Sequence, residues 1–146
     1  MWREDLFKIA EIRQRRNREL NVGANEQEKK VFDEKIKDIF NVVIPKEYKN
    51  FISVVNGIEF NGHIIYGIDE EILSNSPKQH VHGFIDMNKI WKKNNFLFIG
   101  EHDMSWFAYN TEVKKFFELD VPSGSEVRRF ISFDELLDVF FDRALG

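Results

Sequence analysis

Four histidines and a few clustered carboxylates are the residues of this chain that could do chemistry. His80-Val81-His82 has the alternate spacing that lets two imidazoles share a metal ion. A metal site needs a third ligand, and none stands nearby at a recognised spacing. The pair therefore reads as two solvated loop histidines, with no metal. Glu101-His102-Asp103 is the densest group of ionisable side chains, and Ser105 follows closely. An acid, an imidazole and a hydroxyl suggest nucleophilic catalysis, but this serine lies outside any G-x-S-x-G elbow. A polar β-turn is the simpler reading. Neither G-x-G-x-x-G nor G-x-x-x-x-G-K-[ST] occurs, so no phosphate-cradling loop is expected. With no cysteine, a thiolate zinc site, a Cys nucleophile and a disulfide framework are excluded. An enzyme would need a pocket holding His63, His80, His82 or His102 beside a carboxylate. The expectation is a chain with no catalytic residues and no cofactor.

Bulk properties point the same way. The chain has 146 residues, one domain's worth, with fifteen Phe and three Trp to fill a core. The net charge of −4 is unevenly spread. Residues 1–50 hold 12 Lys/Arg against 10 Asp/Glu, and residues 51–146 hold 9 against 15. An acidic body argues against nucleic-acid binding, which depends on phosphate neutralisation. It suits solubility, and it also suits a basic protein partner. Charges interrupt MWREDLFKIAEIRQRR every few residues, so neither a signal peptide nor a membrane span is expected. A soluble, cytoplasmic protein follows, and the absence of cysteine agrees with it.

Local patterns supply the elements that must position these groups. Residues 1–25 read as a helical N-terminal extension, with Trp2, Leu6 and Ile9 as a thin apolar stripe. Arg13, Arg15, Arg16 and Arg18 crowd its second half, beside Glu11 and Glu19, as a solvated face. Asn25 with Glu28 approximates a capping box for a helix reaching Phe40, with Val31, Phe32, Ile36, Ile39 and Phe40 apolar. Pro45 starts the next helix, and Tyr48, Phe51, Ile52 and Val55 make its stripe. Asn56-Gly57 stops it, because glycine accepts the left-handed conformation. Asn61-Gly62 predicts a two-residue hairpin between strands near Ile58–Phe60 and His63–Tyr66. Asp69, Glu70 and Glu71 form an acidic cluster past the second strand, and residues 74–83 read as a loop. Phe84–Lys93 is ambiguous, with Ile85, Ile90 and Trp91 as marks of a short helix.

The last third reads as a meander. Phe96–Ile99 is one strand, and Gly100–Met104 is a turn. Ser105–Tyr109 and Lys115–Leu119 follow, the latter after a turn over Asn110–Lys114. Val127–Ile131 comes after the break at Pro122-Ser123-Gly124. Short connections require antiparallel neighbours. Trp106 and Phe116 are expected to point away from the face carrying Phe107, Tyr109, Phe117 and Leu119. If both faces are aromatic, either helices cover both or one is a docking surface. Ser132 and Glu135 form a capping box for a final helix with Phe133, Leu136, Leu137 and Phe140 inward. The expected fold class is α+β, one domain over residues 1–146. A mainly antiparallel sheet packs against N-terminal, central and C-terminal helices.

Three segments together resemble the SUKH superfamily, the Smi/Knr-like proteins. They are Ile44-Pro45-x-x-Tyr48-x-x-Phe51 with Asn56-Gly57 and Tyr66-Gly67; Phe98-Ile99-Gly100-Glu101 with Trp106 and Tyr109; and Phe130–Leu137. The likeness spans roughly Val31 to Leu145. MWREDLFKI and VHGFIDMNKIW look like the YrhA-like bacterial branch. The resemblance implies an α+β fold whose shared positions are Pro45, Asn56, Gly57 and Gly100. It implies a non-enzymatic protein-binding domain. Many bacterial members look like immunity proteins that neutralise polymorphic toxins, often nucleases or deaminases. Others are interaction hubs. The expected partner is therefore a protein, such as a toxin nuclease domain. The candidate contacts are Asp69, Glu70, Glu71, Glu101 and Asp103, with Trp106 as aromatic anchor. The alternative is an intracellular adaptor or small-ligand binder unrelated to toxins.

Overall fold

A computed structural model describes residues 1–74 and 80–146; most of the predicted 74–83 loop therefore lies outside the described residues. Three helices lead the chain: α1 (Trp2–Arg15), α2 (Glu26–Phe40) and α3 (Lys46–Val54). The capping box of α2 is complete, with Asn25 Oδ1 accepting from Glu28 N at 2.8 Å and Glu28 Oε1 from Asn25 N at 2.9 Å. Its inward face runs through Glu28, Phe32 and Ile36, four residues apart. Ile39 falls off that line and is 47% exposed, against expectation. On α1, Trp2, Leu6 and Ile9 are buried as the spacing predicts. The extension is thereby stitched into the core: Trp2 stacks near Phe51 and Phe141, and its Nε1 donates to Asp134 at 3.0 Å.

The third helix ends earlier than its sequence suggests. Pro45 is the residue before the helix, and Val55 already has extended backbone angles. Asn56-Gly57 therefore does not itself terminate α3. Asn56 is fully buried, and its carboxamide pairs with Ile68 like a peptide group. Oδ1 accepts from Ile68 N at 2.7 Å, and Nδ2 donates to Ile68 O at 3.2 Å. Gly57 has φ +76°, and a Cβ there would press on the Gly67 amide and the Ile65 carbonyl. Both residues thus serve the corner where α3 passes the exit of the first hairpin.

That hairpin joins β1 (Ile58–Phe60) to β2 (His63–Ile65). Asn61 and Gly62 both have positive φ, 51° and 78°, as the favoured two-residue turn requires. After a 3-10 turn (Glu70–Ile72) comes α4 (Phe84–Ile90), which settles the ambiguous segment as a helix. Next come β3 (Phe96–His102), β4 (Ser105–Asn110), β5 (Lys115–Asp120), β6 (Glu126–Phe130) and α5 (Phe133–Leu145). The six strands form one antiparallel sheet in chain order. The fold class is α+β, as expected.

Two details of the meander differ from the expectation. β3 does not stop at Ile99: a bulge lets Phe98 and Gly100 pair with Ala108 and Phe107, and pairing continues to His102. Gly100 meets Ile65 on its other side, so close that a Cβ would overlap the Ile64 carbonyl. The polar turn is therefore shorter, and Glu101 and His102 are strand residues. The second difference is the face of Phe116. Asn110 pairs with Lys115 across an even-numbered loop, so Tyr109 faces Phe116 and Ala108 faces Phe117. Phe107, Tyr109 and Phe116 share the helix-covered face, where Phe107 meets Phe140 and Phe116 meets Phe133. Trp106, Ala108, Phe117 and Leu119 share the other.

Candidate partner-binding surface

The acidic cluster behind β2 divides on folding. Asp69 is 1% exposed. Its Oδ1 accepts from Ile85 N at 2.9 Å and its Oδ2 from Asp86 N at 3.0 Å, holding the first turn of α4. Burial pushes its carboxyl above the usual carboxylate range, and the two amides pull it part of the way back. A buried strut cannot meet a partner, so Asp69 is corrected from surface contact to helix anchor. Glu70 and Glu71 are exposed, and Glu70 accepts from Val81 N at 3.2 Å.

Glu101 and Trp106 are direct cross-strand neighbours on the face turned away from α5. Glu101 is half-buried and accepts from the Tyr66 hydroxyl. Burial and this carboxylate push the phenol far above its ordinary value, so Tyr66 stays a donor. Asp103 is exposed in the turn beyond, beside exposed Met104. The structure thus brings Glu101, Asp103 and Trp106 to one end of β3 and β4, with Glu70 and Glu71 on a separate turn.

Trp106 is half-buried, 5.5 Å from Trp91 and 5.2 Å from Phe98 between ring centroids. Trp91 arrives because α4 ends one residue earlier, tied to the sheet by Asn88. The Asn88 carboxamide bonds Phe98 N at 2.7 Å and Phe98 O at 2.8 Å, standing in for a strand that β2 is too short to supply. Beside the two indoles lies a cleft of about 440 Å³, rimmed by Ile90, Lys92 and Lys93 on one side and Pro122 on the other. Ile90 is 64% exposed there. The anchor expected among acids therefore sits between Glu101 and two lysines. Trp91, Lys92 and Lys93 had no signal in the sequence beyond an ambiguous helix.

A third polar cluster lies on the helix-covered face. Glu118, on β5, is buried, and Arg143 of α5 holds both its oxygens at 2.9 and 3.1 Å. Ser105 Oγ donates to Glu118 Oε2 at 2.6 Å, and His102 Nε2 lies 3.9 Å from the same oxygen. Serine, histidine and carboxylate thus meet, but not as a nucleophile and its base. The hydroxyl proton is committed to the carboxylate, and the imidazole Nε2 faces the Arg143 guanidinium at 3.2 Å. The cluster clamps the end of α5 to the sheet. The sequence set His102 and Ser105 close together, but Glu118 and Arg143, which complete the cluster, gave no sign of joining them.

This clamp has a pH signature. Despite burial, Arg143, Ser105 and His102 hold Glu118 below the usual carboxylate range. Burial, then His63 and Arg143, lower His102 from its ordinary value near 6.5, against the pull of Glu118 and Asp103. A depressed folded value means each contribution is full above the unfolded value and lost as pH falls through the folded one. Both groups therefore act in the same direction. Asp69, raised by burial, has the opposite sign. Thermal midpoints measured between pH 7.5 and 5 should fall, and a His102→Asn variant should flatten that fall.

Residues 34–134 match the SMI1-KNR4 cell-wall family, SUKH_6. The chain belongs to the SUKH superfamily. No curated protein is similar enough to match it. The match covers α3, the hairpin, the 3-10 turn, α4 and the whole sheet, so the SUKH domain includes both the tryptophan cleft and the strand end with Glu101. The SUKH positions of the sequence likeness are Pro45, Asn56, Gly57 and Gly100. They mark a helix start at Pro45, a buried corner at Asn56 and Gly57, and at Gly100 a strand position pressed against the Ile64 carbonyl. Among the described residues, no helix is long and apolar enough to cross a membrane.

Proposed function

We propose that this SUKH domain is a non-enzymatic protein-binding module of the immunity type, which neutralises a toxin domain such as a nuclease. The observation that carries the reading is the tryptophan cleft. Half-buried Trp106 and Trp91 meet on the side of the sheet turned away from α5, with Glu101 and Asp103 at its end and exposed Ile90 at its rim. Half-buried indoles beside a charged rim are the composition of an interface hot spot. The Glu118 cluster supports a non-catalytic reading, since its serine and histidine are spent on holding α5. The protein works without a cofactor, binds neither nucleic acid nor membrane, and acts in the cytoplasm, where an immunity partner would meet its toxin.

The first test is a tagged pull-down from the source cells at high salt, followed by mass spectrometry. Recovery of one large secreted-type polypeptide with a toxin-like C-terminal region supports the immunity reading. Recovery of signalling or wall-synthesis proteins moves the domain to the adaptor class. The Trp106→Ala variant should bind the recovered partner about 30-fold more weakly, near 2 kcal/mol, as an aromatic anchor does. Asp103→Lys should slow association in low salt, with little change in melting temperature. Glu101→Lys is a poorer probe, because it also orphans the Tyr66 hydroxyl. Unchanged affinity in both Trp106→Ala and Asp103→Lys would remove this face from the proposal.

A further inference from the structure

We propose that Glu59, His80 and His82 form a binding site for a divalent transition-metal ion of the zinc class. The His-x-His segment lacks a third ligand in the sequence, and folding supplies one from β1. One ligand atom from each residue lies within 4.8 Å of the other two. His82 Nε2 is 3.6 Å from Glu59 Oε1. Two ligands bonded at about 2.0–2.1 Å to a tetrahedral ion stand roughly 3.4 Å apart, so this pair is already near metal-ligand spacing. Its separation is longer than a good hydrogen bond. Accordingly, His82 Nε2 is inaccessible to solvent and has no hydrogen-bond partner among the described residues. A polar ring nitrogen left so is costly, and an ion would satisfy it.

The segment is also held in place. Asn21 Nδ2 donates to His80 O at 3.0 Å, Val81 N to Glu70 Oε1 at 3.2 Å, and Gly67 N to His82 O at 3.0 Å. Three consecutive residues are thus tied to three different parts of the fold, and both imidazoles stay near Glu59. On β1, Glu59 pairs with Ile64, and its own carbonyl accepts from the Arg13 guanidinium. The main chain that carries the ligands is thus held in place, and the exposed Glu59 and His80 side chains turn on it. Two imidazoles and one carboxylate select zinc, nickel, cobalt or copper over magnesium and calcium, which prefer all-oxygen sets. Glu59 and His80 are exposed, which leaves a fourth position for water. Arg13 and Arg18 lie beside Glu59 and oppose a cation, which lowers the affinity expected of the site. The second carboxylate group, Asp69, Glu71 and Asp86, is not comparable, because Asp69 already spends both oxygens on backbone amides.

A bound ion would clip the edge strand β1 to the chain entering α4. The test is titration of the full chain with zinc chloride against a chromophoric chelator, with melting curves in zinc and in magnesium. Saturable equimolar zinc binding is expected, with a melting temperature raised by zinc and not by magnesium. His82→Ala and His80→Ala should each weaken binding roughly 10-fold or more, and Glu59→Gln should weaken it less. His80 is exposed, so its variant reports on binding without a folding defect. His63→Asn controls for the other histidine pair, His63 and His102, whose rings are 5.0 Å apart. No saturable binding, affinity in His80→Ala and His82→Ala equal to that of the parent chain, or loss of binding in His63→Asn would overturn the proposal.

Discussion

The Arg143→Met variant should unfold about 3 kcal/mol more easily than the parent chain at neutral pH, the lower end of the range for breaking a buried ion pair. The reason lies in Glu118, which is 3% exposed and has both oxygens bonded by the guanidinium. Methionine fills the aliphatic volume but donates nothing, so a carboxylate is left buried with only the Ser105 hydroxyl and the more distant His102 imidazole beside it. The lower end is appropriate because Arg143 itself is about one-third exposed, so water screens part of its attraction. For a chain of this size the midpoint should drop by roughly 6–12 °C. The deficit should shrink as the pH is lowered, because protonation removes the stranded charge. A Glu118→Gln/Arg143→Met double variant should recover most of the loss. If Arg143→Met is as stable as the parent at pH 7, Glu118 does not depend on the clamp.

Asn56→Ala should lose about 2–6 kcal/mol, since two buried backbone groups are orphaned at once at roughly 1–3 kcal/mol each. Those groups are Ile68 N–H and C=O, and no solvent reaches Asn56 to replace the carboxamide. The loss should be visible as earlier amide exchange at Ile68 than elsewhere in the sheet. Asn56→Asp separates the two contacts. It keeps an acceptor for Ile68 N–H, but sets a carboxylate oxygen against Ile68 C=O, so it should not rescue. A chemical denaturation midpoint within error of the parent for Asn56→Ala would refute the corner's role. Asn88 repeats the device at Phe98. Two asparagine side chains therefore finish backbone pairing where strands run out.

Much of the fold was legible because it obeys short-range rules. The capping box at Asn25, the Ser132 cap, the Asn61-Gly62 turn and the antiparallel meander depend on residues within a few positions of one another; Glu135 pairs with Arg128 and does not close the box expected at Ser132. The stripes of α1, α3 and α5 are equally local, and the SUKH likeness rests on the same segments. Register was less legible. The bulge in β3 and the parity of the β4–β5 loop each change which residues share a face, by a displacement of one residue. The sequence alone could not place Phe116 or continue β3 to His102, because pairing partners on β2 and β4 decide both.

The candidate sites show the same division. The sequence by itself determined the residue types present: clustered acids, Trp106, a His-x-His pair and no cysteine. Those types set the class of fold and narrowed the chemistry. Only the tertiary structure decided which side chains meet. It buried Asp69 under α4, bonded Glu118 to Arg143 across 25 positions of sequence, set Trp91 against Trp106 and brought Glu59 to His82. The physical reason is that capping and periodicity are properties of one segment. Burial and long-range hydrogen bonding exist only once segments pack, and charge and solvent access at a site are set by that packing.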